Sequence, residues 1–283
     1  METKIKIADI LLDSLPFIRA FRKKVVVIKY GGAAQINPKL KEQFAKDIVM
    51  MYMLGIKPII VHGGGRNISK MLDDLGLESE FVNGHRVSSA ESMPIIEMVL
   101  CGNINKELSA FLNYHGVKAV GISGKDAGSF EAAQKDGGKL GYTGEITQVD
   151  TTLLATLLQN GFVPVIAPIA GSSQAHHLGY NINADSVACE IAKALNAFKV
   201  IFLTDTKGVL DKNNQLFSTL NIEKIEKLKK DGVITGGMLP KIDACISCVQ
   251  NGVQKVHIID GRVEHSLLLE LFTSAGIGTE IVL

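Results

Sequence analysis

Val25-Val26-Val27-Ile28-Lys29-Tyr30-Gly31-Gly32 is the stretch on which the fold turns. An apolar run ending in a lysine and two glycines reads as a buried strand spilling into a tight turn. Further along, Pro58-Ile59-Ile60-Val61 runs into His62-Gly63-Gly64-Gly65 in the same way. Uninterrupted apolar strands are those of a parallel sheet covered on both faces. Two of them side by side, each leading through a glycine turn into a helix, set two nests of backbone N–H groups along one edge. Such nests attract anions, and the lysine at the same edge makes phosphate the expected one. Phosphoryl transfer is the leading reading.

Strand and helix alternate outward from this point. Strand 25–29 leads to a helix over 38–54, and strand 58–62 to a helix over 67–75. Phe81 to Val87 carries the Asn83-Gly84 signature of a tight hairpin. Ser88 and Glu91 have the spacing of a capping box opening the next helix. Strand 118–122, a glycine-rich hairpin within 136–145 and strand 163–167 follow. The second half predicts helix 184–195, strand 199–204, helices 222–230 and 240–251, strand 255–260, helix 264–273 and a last strand 279–283. The pattern is that of an α/β protein, a three-layer αβα sandwich around a mostly parallel sheet. Ligands then belong at the carboxyl ends of the strands. Gly171-Ser172-Ser173 breaks the pattern, which divides the chain into lobes 23–178 and 179–283. Ahead of both, Ile7, Ile10, Leu11, Leu15, Ile18 and Phe21 recur at helical spacing, with Pro16 as a kink. This extension, residues 1–22, precedes the sheet, and its apolar face needs a partner in its own body or in another subunit.

Composition excludes other classes. With 30 basic and 29 acidic residues there is no bulk attraction to nucleic acid or an anionic membrane. No apolar run is long enough to span a bilayer, and no signal-peptide core opens the chain. A cytoplasmic protein is expected, with an organelle stroma as the alternative. Four cysteines in a chain of this length do not make a disulfide framework. Cys245 and Cys248 share an apolar helical stripe with Ile242, Ile246 and Val249, which reads as buried thiols rather than half a metal site. No metal ligands are assigned, and His176-His177 is read as solvent-exposed and without a role.

The familiar nucleotide motifs are missing: there is no P-loop, Ile68 breaks a dinucleotide fingerprint, and no protein-kinase signature occurs. Five pieces remain. They are Lys29 with Gly31 and Gly32; His62 to Gly65; Arg86, suited to clamp a carboxylate; Asn181-Ile182-Asn183-Ala184-Asp185 at a helix start; and Gly236-Gly237-Met238-Leu239-Pro240-Lys241. Each alone has a plainer reading: a solvated lysine, a turn, a surface arginine, a helix cap. The asparagines and aspartate also look like part of a calcium loop, but its glycine and distal glutamate are missing. Their order and spacing together carry the argument.

In these pieces the chain resembles the amino acid kinase family. The family's K-x-G-G is matched by Lys29 to Gly32, V-H-G-G-G by Val61 to Gly65, and N-G-x-R-V-[ST] by Asn83 to Ser88. N-[IV]-N-A-D is matched by Asn181 to Asp185, T-D-x-x-G-[VI] by Thr204 to Val209, and G-G-M-x-x-K by Gly236 to Lys241. The resemblance spans essentially the whole chain. It favours the branch that phosphorylates the γ-carboxylate of N-acetyl-L-glutamate, the second step of arginine biosynthesis, over aspartokinase, uridylate kinase or carbamate kinase. It implies that Lys29 and Lys241 flank the transferring phosphoryl group while Asp185 holds them in place. Gly31, Gly32, Gly64 and Gly65 would offer amides to the phosphoryl group and the reacting end of the substrate. Arg86 and Asn181 would grip the substrate's α-carboxylate; Thr204, Asp205 and Gly208 would line the ATP site, with Mg²⁺ carried by the nucleotide. The N-terminal helix and the run from His257 to Thr279 resemble the arginine-inhibited branch, built as hexamers from trimers of dimers. There Glu270 and the backbone at Gly276 would take the guanidinium of L-arginine, with His257 nearby. A PII-type nitrogen-signalling protein is a further candidate partner. A sister kinase for another acyl amino acid, or a non-catalytic arginine sensor, are the competing readings.

Overall fold

A computed structural model describes residues 1–274 and 276–283, and the side chains of all of these except Glu2, Thr3, Lys4, Lys6, Ile7 and Ala8. Helix α1 (Glu2–Phe21) runs through Pro16 without a break. Strand β1 (Val25–Tyr30), α2 (Ala33–Ile36), α3 (Pro38–Met53), β2 (Lys57–His62) and α4 (Gly65–Asp74) follow. Next come the hairpin β3 (Phe81–Val82) and β4 (His85–Arg86), then α5 (Ser92–Glu97), a π-helical stretch Met98–Ile104 and α6 (Asn105–Tyr114). Then come β5 (Ala119–Ser123), β6 (Phe130–Gln134), β7 (Thr143–Val149), α7 (Thr152–Gln159), β8 (Val163–Ala167), β9 (Ile169–Ala170) and β10 (Tyr180–Ile182). The chain ends with α8 (Ala184–Ala194), β11 (Lys199–Thr204), β12 (Thr219–Asn221), α9 (Ile222–Lys230), α10 (Met238–Gln250), β13 (Lys255–Asp260), α11 (Ser266–Phe272) and β14 (Thr279–Val282).

Among the described residues, eight strands form one sheet in the order β12-β14-β13-β11-β1-β2-β8-β5, and only the β13–β14 contact in it is antiparallel. This is the α/β architecture expected. β1 lies between β2 on one side and β11 on the other. The loops leaving the carboxyl ends of these strands therefore diverge, and a crevice opens there. Parity along β1 sorts its side chains: Val27 joins the core under α8 and α10, while Ile28 and Tyr30 pack with α3. Lys29, alternating with Ile28, is thereby sent to the face covered by α8 and α10.

A second sheet, β6-β7-β10-β9, holds the glycine-rich hairpin. It also takes β10, so residues 180–182 pair with Thr143, Gly144 and the strand at 169–170. The β3–β4 turn has Asn83 and Gly84 at positive φ, the conformation an Asn-Gly hairpin requires. The expected cap at Ser88 fails. Ser88 makes no capping box; α5 starts at Ser92, whose N–H bonds to Ser89 Oγ. Ser88 Oγ is instead engaged by Thr143 and Asn181, tertiary partners that outcompete a local cap. Cys245 and Cys248 are fully buried on α10.

The expected Ile7 contribution to α1 lies outside the described side chains. The end of the helix docks on the body, with Phe21 buried edge-on against Phe198 at 5.2 Å. Ile5, Ile10, Leu11 and Leu12 are exposed. Among the described residues no helix is long and apolar enough to cross a membrane.

Candidate active site

Asn183 ends the extended segment after β10 and caps α8, its Oδ1 accepting from the N–H groups of Asp185 and Ser186. With the cap supplied by Asn183, Asp185 is free to project elsewhere. Its Oδ2 accepts a 2.6 Å hydrogen bond from Lys241 Nζ, and its Oδ1 lies 3.1 Å from Lys29 Nζ. The second contact is an ion pair without an aligned hydrogen bond. Lys241 stands in the first turn of α10, where Pro240 is tolerated because no helical partner exists for its missing N–H. Burial pushes the Asp185 carboxyl up, but the two ammonium groups outweigh it and hold the group at about 2. Two cations and one anion leave a local charge of +1.

A cavity of about 200 Å³ opens beside this triad. Its walls include Lys29 of β1, Gly64 and Gly65 of the second glycine turn, Arg86 of β4, Asn181 of β10 and Asp185 of α8. Gly64 faces Leu100 and Ile104 so closely that a Cβ would lie 2.6 Å from each. Arg86 is buried and pinned: Nη1 donates to Ser79 Oγ at 2.5 Å, and Nη2 to Gly65 O and Ser69 Oγ at 2.9 Å. The Phe81 ring lies 4.5 Å from its guanidinium carbon. Asn181 Nδ2 donates to Ser88 Oγ. The cavity is thus lined by two cations, Lys29 and Arg86, and by the glycine turn Gly63 to Gly65, which suits a small anionic molecule.

The remaining residues singled out in the sequence sit elsewhere. Gly31 lies under Lys29 Nζ. Gly32, at φ 66, is pressed by Asp205, whose Oδ1 accepts from Ala33 N at 2.7 Å. The first glycine turn and the end of β11 therefore touch. Thr204 Oγ1 is bonded within its own loop and to Ile259 O. Gly208, at φ 141, packs against Thr279. None of these three residues, 204, 205 and 208, lines the cavity of Lys29.

His257, Glu270 and Gly276 do meet, in a separate cavity of about 540 Å³. Its wall also includes Phe17 and Phe21 of α1 and the buried Lys199. Glu270 accepts from Lys199 at 2.5 Å and from Ile277 N at 2.8 Å, and its Oε1 lies 2.9 Å from His257 Nε2. Burial opposes its ionisation, yet His257 and Lys199 hold the carboxyl at about 2. The sequence reading missed Lys199, which looks like an ordinary strand start. It also missed the cap role of Asn183, legible from its place before a helix, and Ser69 and Ser79, which carry no local signal. His177, expected to be exposed, is half-buried with its ring 4.6 Å from that of Tyr180.

Known proteins resemble this chain. A model of the amino acid kinase family matches residues 24–260. An acetylglutamate kinase of Helicobacter hepaticus is 66% identical, over 96% of this chain and 97% of its own. One of Wolinella succinogenes is 63% identical, over 100% and 99%. The solved structure of N-acetylglutamate synthase from Neisseria gonorrhoeae, complexed with coenzyme A and N-acetyl-glutamate, superposes at TM-score 0.87 with 25% identity. It covers 98% of this chain, which spans 63% of that longer one.

The triad has a measurable acid signature. A carboxyl held at about 2 against its ordinary 3.8 stabilises the fold fully above the ordinary value and ceases to as pH falls towards 2. Asp185→Asn should therefore flatten the decline of the urea midpoint between about pH 4 and 2 relative to wild type. Parallel declines in the two proteins would assign the acid loss to other carboxylates.

Proposed function

The chain belongs to the amino acid kinase family, and from that premise we propose that it phosphorylates the γ-carboxylate of N-acetyl-L-glutamate with ATP. The product is N-acetyl-L-glutamyl 5-phosphate, and the step is the second of arginine biosynthesis, in the cytoplasm. The observation that carries the reading is the meeting of Lys29 and Lys241 on Asp185 beside a cavity whose wall also bears Arg86 and Asn181. Near-full-length relatives named acetylglutamate kinase support the same substrate.

In this reading one oxygen of the γ-carboxylate attacks the terminal phosphorus of ATP. The bond to the β,γ-bridging oxygen breaks, and ADP leaves with the electron pair. A glutamate side chain is ionised near neutral pH, so no general base is needed. Lys29 and Lys241 spread positive charge over the transferring group, and each ammonium has donors left after its contact with Asp185. Gly31, Gly32, Gly64 and Gly65 add main-chain amides to the phosphoryl group and the reacting carboxylate. Arg86 and Asn181 fix the α-carboxylate and so the distance of attack. Thr204, Asp205 and Gly208 belong to the nucleotide side, in the lobe 179–283, with the acyl amino acid in 23–178. Mg²⁺ would come with ATP and offset the charge of its phosphates, with few protein ligands.

The same proposal extends to regulation, on the strength of the second cavity. L-Arginine would enter it, its guanidinium taking Glu270 and the backbone at Gly276, next to His257, while Lys199 shares the carboxylate. The exposed apolar half of α1 would interlace three dimers into a hexamer, and its docked half walls the cavity. A PII-type regulator remains compatible with this assembly.

Three outcomes are expected. Lys29→Ala and Lys241→Ala each lower kcat by about a hundredfold or more in a hydroxamate assay with ATP, Mg²⁺ and N-acetylglutamate. Near-normal turnover in either variant removes that lysine from the chemistry, and a wild type inert on this substrate favours the sister kinase or the sensor. Arg86→Lys raises KM for acetylglutamate and not for ATP, because the planar fork is lost; a rise confined to ATP contradicts its placement. Deleting residues 1–22 gives an active dimer with weakened arginine inhibition, and an unchanged hexamer in light scattering refutes the interlacing.

A further inference from the structure

The second glycine turn is not held by its own sequence. His62, completely buried, has Nδ1 3.0 Å from Gly63 O and Nε2 3.2 Å from Asn105 Nδ2. Asn105 is buried too and also donates to Val165 O on β8 at 2.9 Å. That carbonyl fixes the amide orientation, since an oxygen of Asn105 turned towards Val165 O would meet a second acceptor. The nitrogen therefore faces His62, whose Nε2 must be the bare acceptor and whose Nδ1 carries the proton donated to Gly63 O. Burial, opposed by the bond to Gly63, lowers this imidazole to about 4, consistent with one ring proton. Gly63 O also accepts from Gln35 Nε2 at 3.0 Å, so the first peptide of the turn is held from both sides.

Asn105 follows the π-helical residues 98–104, and such insertions re-aim the side chains after them. The same stretch presses Leu100 and Ile104 on Gly64. Asn105 Oδ1 has no partner among the described residues, and it fits only because position 121 is glycine, where a Cβ would lie 2.0 Å from it. An unpartnered buried polar atom costs about 1–3 kcal/mol. The same side chain offsets this through its nitrogen, which serves His62 Nε2 and Val165 O.

We propose that Asn105 is a positioning residue for phosphoryl transfer: through His62 it fixes the Gly63 carbonyl, and with it the aim of the Gly64 and Gly65 amides at the cavity of Lys29 and Asp185. This inference rests on the kinase reading of that cavity.

Steady-state kinetics with ATP and N-acetylglutamate on Asn105→Leu, His62→Leu and the double variant test it. Each single change lowers kcat by about tenfold or more with KM for acetylglutamate within about twofold, less than the loss of a whole oxyanion donor. The double variant falls no further than the worse single, as for two residues acting as one unit. Unchanged kcat in a folded variant, a loss carried by KM alone, or losses that multiply in the double overturn the proposal. Asn105→Ala, which also leaves Nε2 without its donor, takes the place of Asn105→Leu if circular dichroism finds the latter unfolded, with the same outcomes expected. Independently of any substrate, ¹⁵N NMR of the wild-type histidines near neutral pH should find His62 protonated at Nδ1 alone. A proton on Nε2 overturns the relay, whereas a wild type that turns over no acetylglutamate overturns the substrate reading instead.

Discussion

Two lysine ammonium groups meeting on one carboxylate set the terms for the rest of this molecule. Without Asp185, like charges this close repel by several kcal/mol, on the order of 4 at 4 Å in a partly buried site. With it, they are held together while still presenting one uncompensated positive charge. Each element near the triad meets a condition for it. β1 directs Lys29 to one face of the sheet by strand parity. Asn183 takes over the cap of α8, freeing Asp185. α10 starts in a glycine turn that brings Lys241 within reach of the same carboxylate. The site is therefore as much a product of the sheet order as of any motif, because only the β2-β1-β11 arrangement brings these segments together.

How much of this was legible depends on whether a residue's partners are local. Strands 163–167, 199–204 and 255–260 coincide with β8, β11 and β13, since a strand buried on both faces is an unbroken apolar run that ends where its burial ends. α4 starts at Gly65, two residues ahead of its expected start, because its first turn is the glycine turn itself. The capping box at Ser88 was a correct local pattern overridden by Thr143 and Asn181, neither of which is near it in sequence. β9 and β10 are too short to show alternation, so of the second sheet only its glycine-rich hairpin is legible. Lys199, Ser69, Ser79 and Asn105 were missed for one reason: each is a polar residue in an ordinary element, and its purpose lies in a contact with a distant segment.

The N-terminal helix divides into two environments. At its end, Phe21 packs edge-on with Phe198 and Phe272, next to Lys199. That end is fixed to the strand and helix that carry Lys199 and Glu270, so any movement of α1 must be felt at the second cavity. The first half carries exposed isoleucines and leucines at a cost in solvation that only burial elsewhere offsets. Docking at one end and apolar exposure at the other is what a helix joining a ligand pocket to an assembly surface would need.

The electrostatics of the first cavity also bear on which acceptor it suits. An alcohol acceptor has to lose a proton during transfer, and the groups at hand are poor bases. Asp185 is held at about 2 by its two lysines, too weak to take a proton from a hydroxyl. His62 has its bare nitrogen turned to Asn105 and away from any substrate. His85, on the hairpin with Arg86, is made less basic, first by burial and then by Lys135. A carboxylate acceptor arrives already ionised and needs none of these. Its negative charge is also what the uncompensated lysine charge and the amides of two glycine turns attract. The site is thus poor at activating a nucleophile and good at bringing two anions together, and that combination favours a carboxyl group over a hydroxyl as the phosphoryl acceptor.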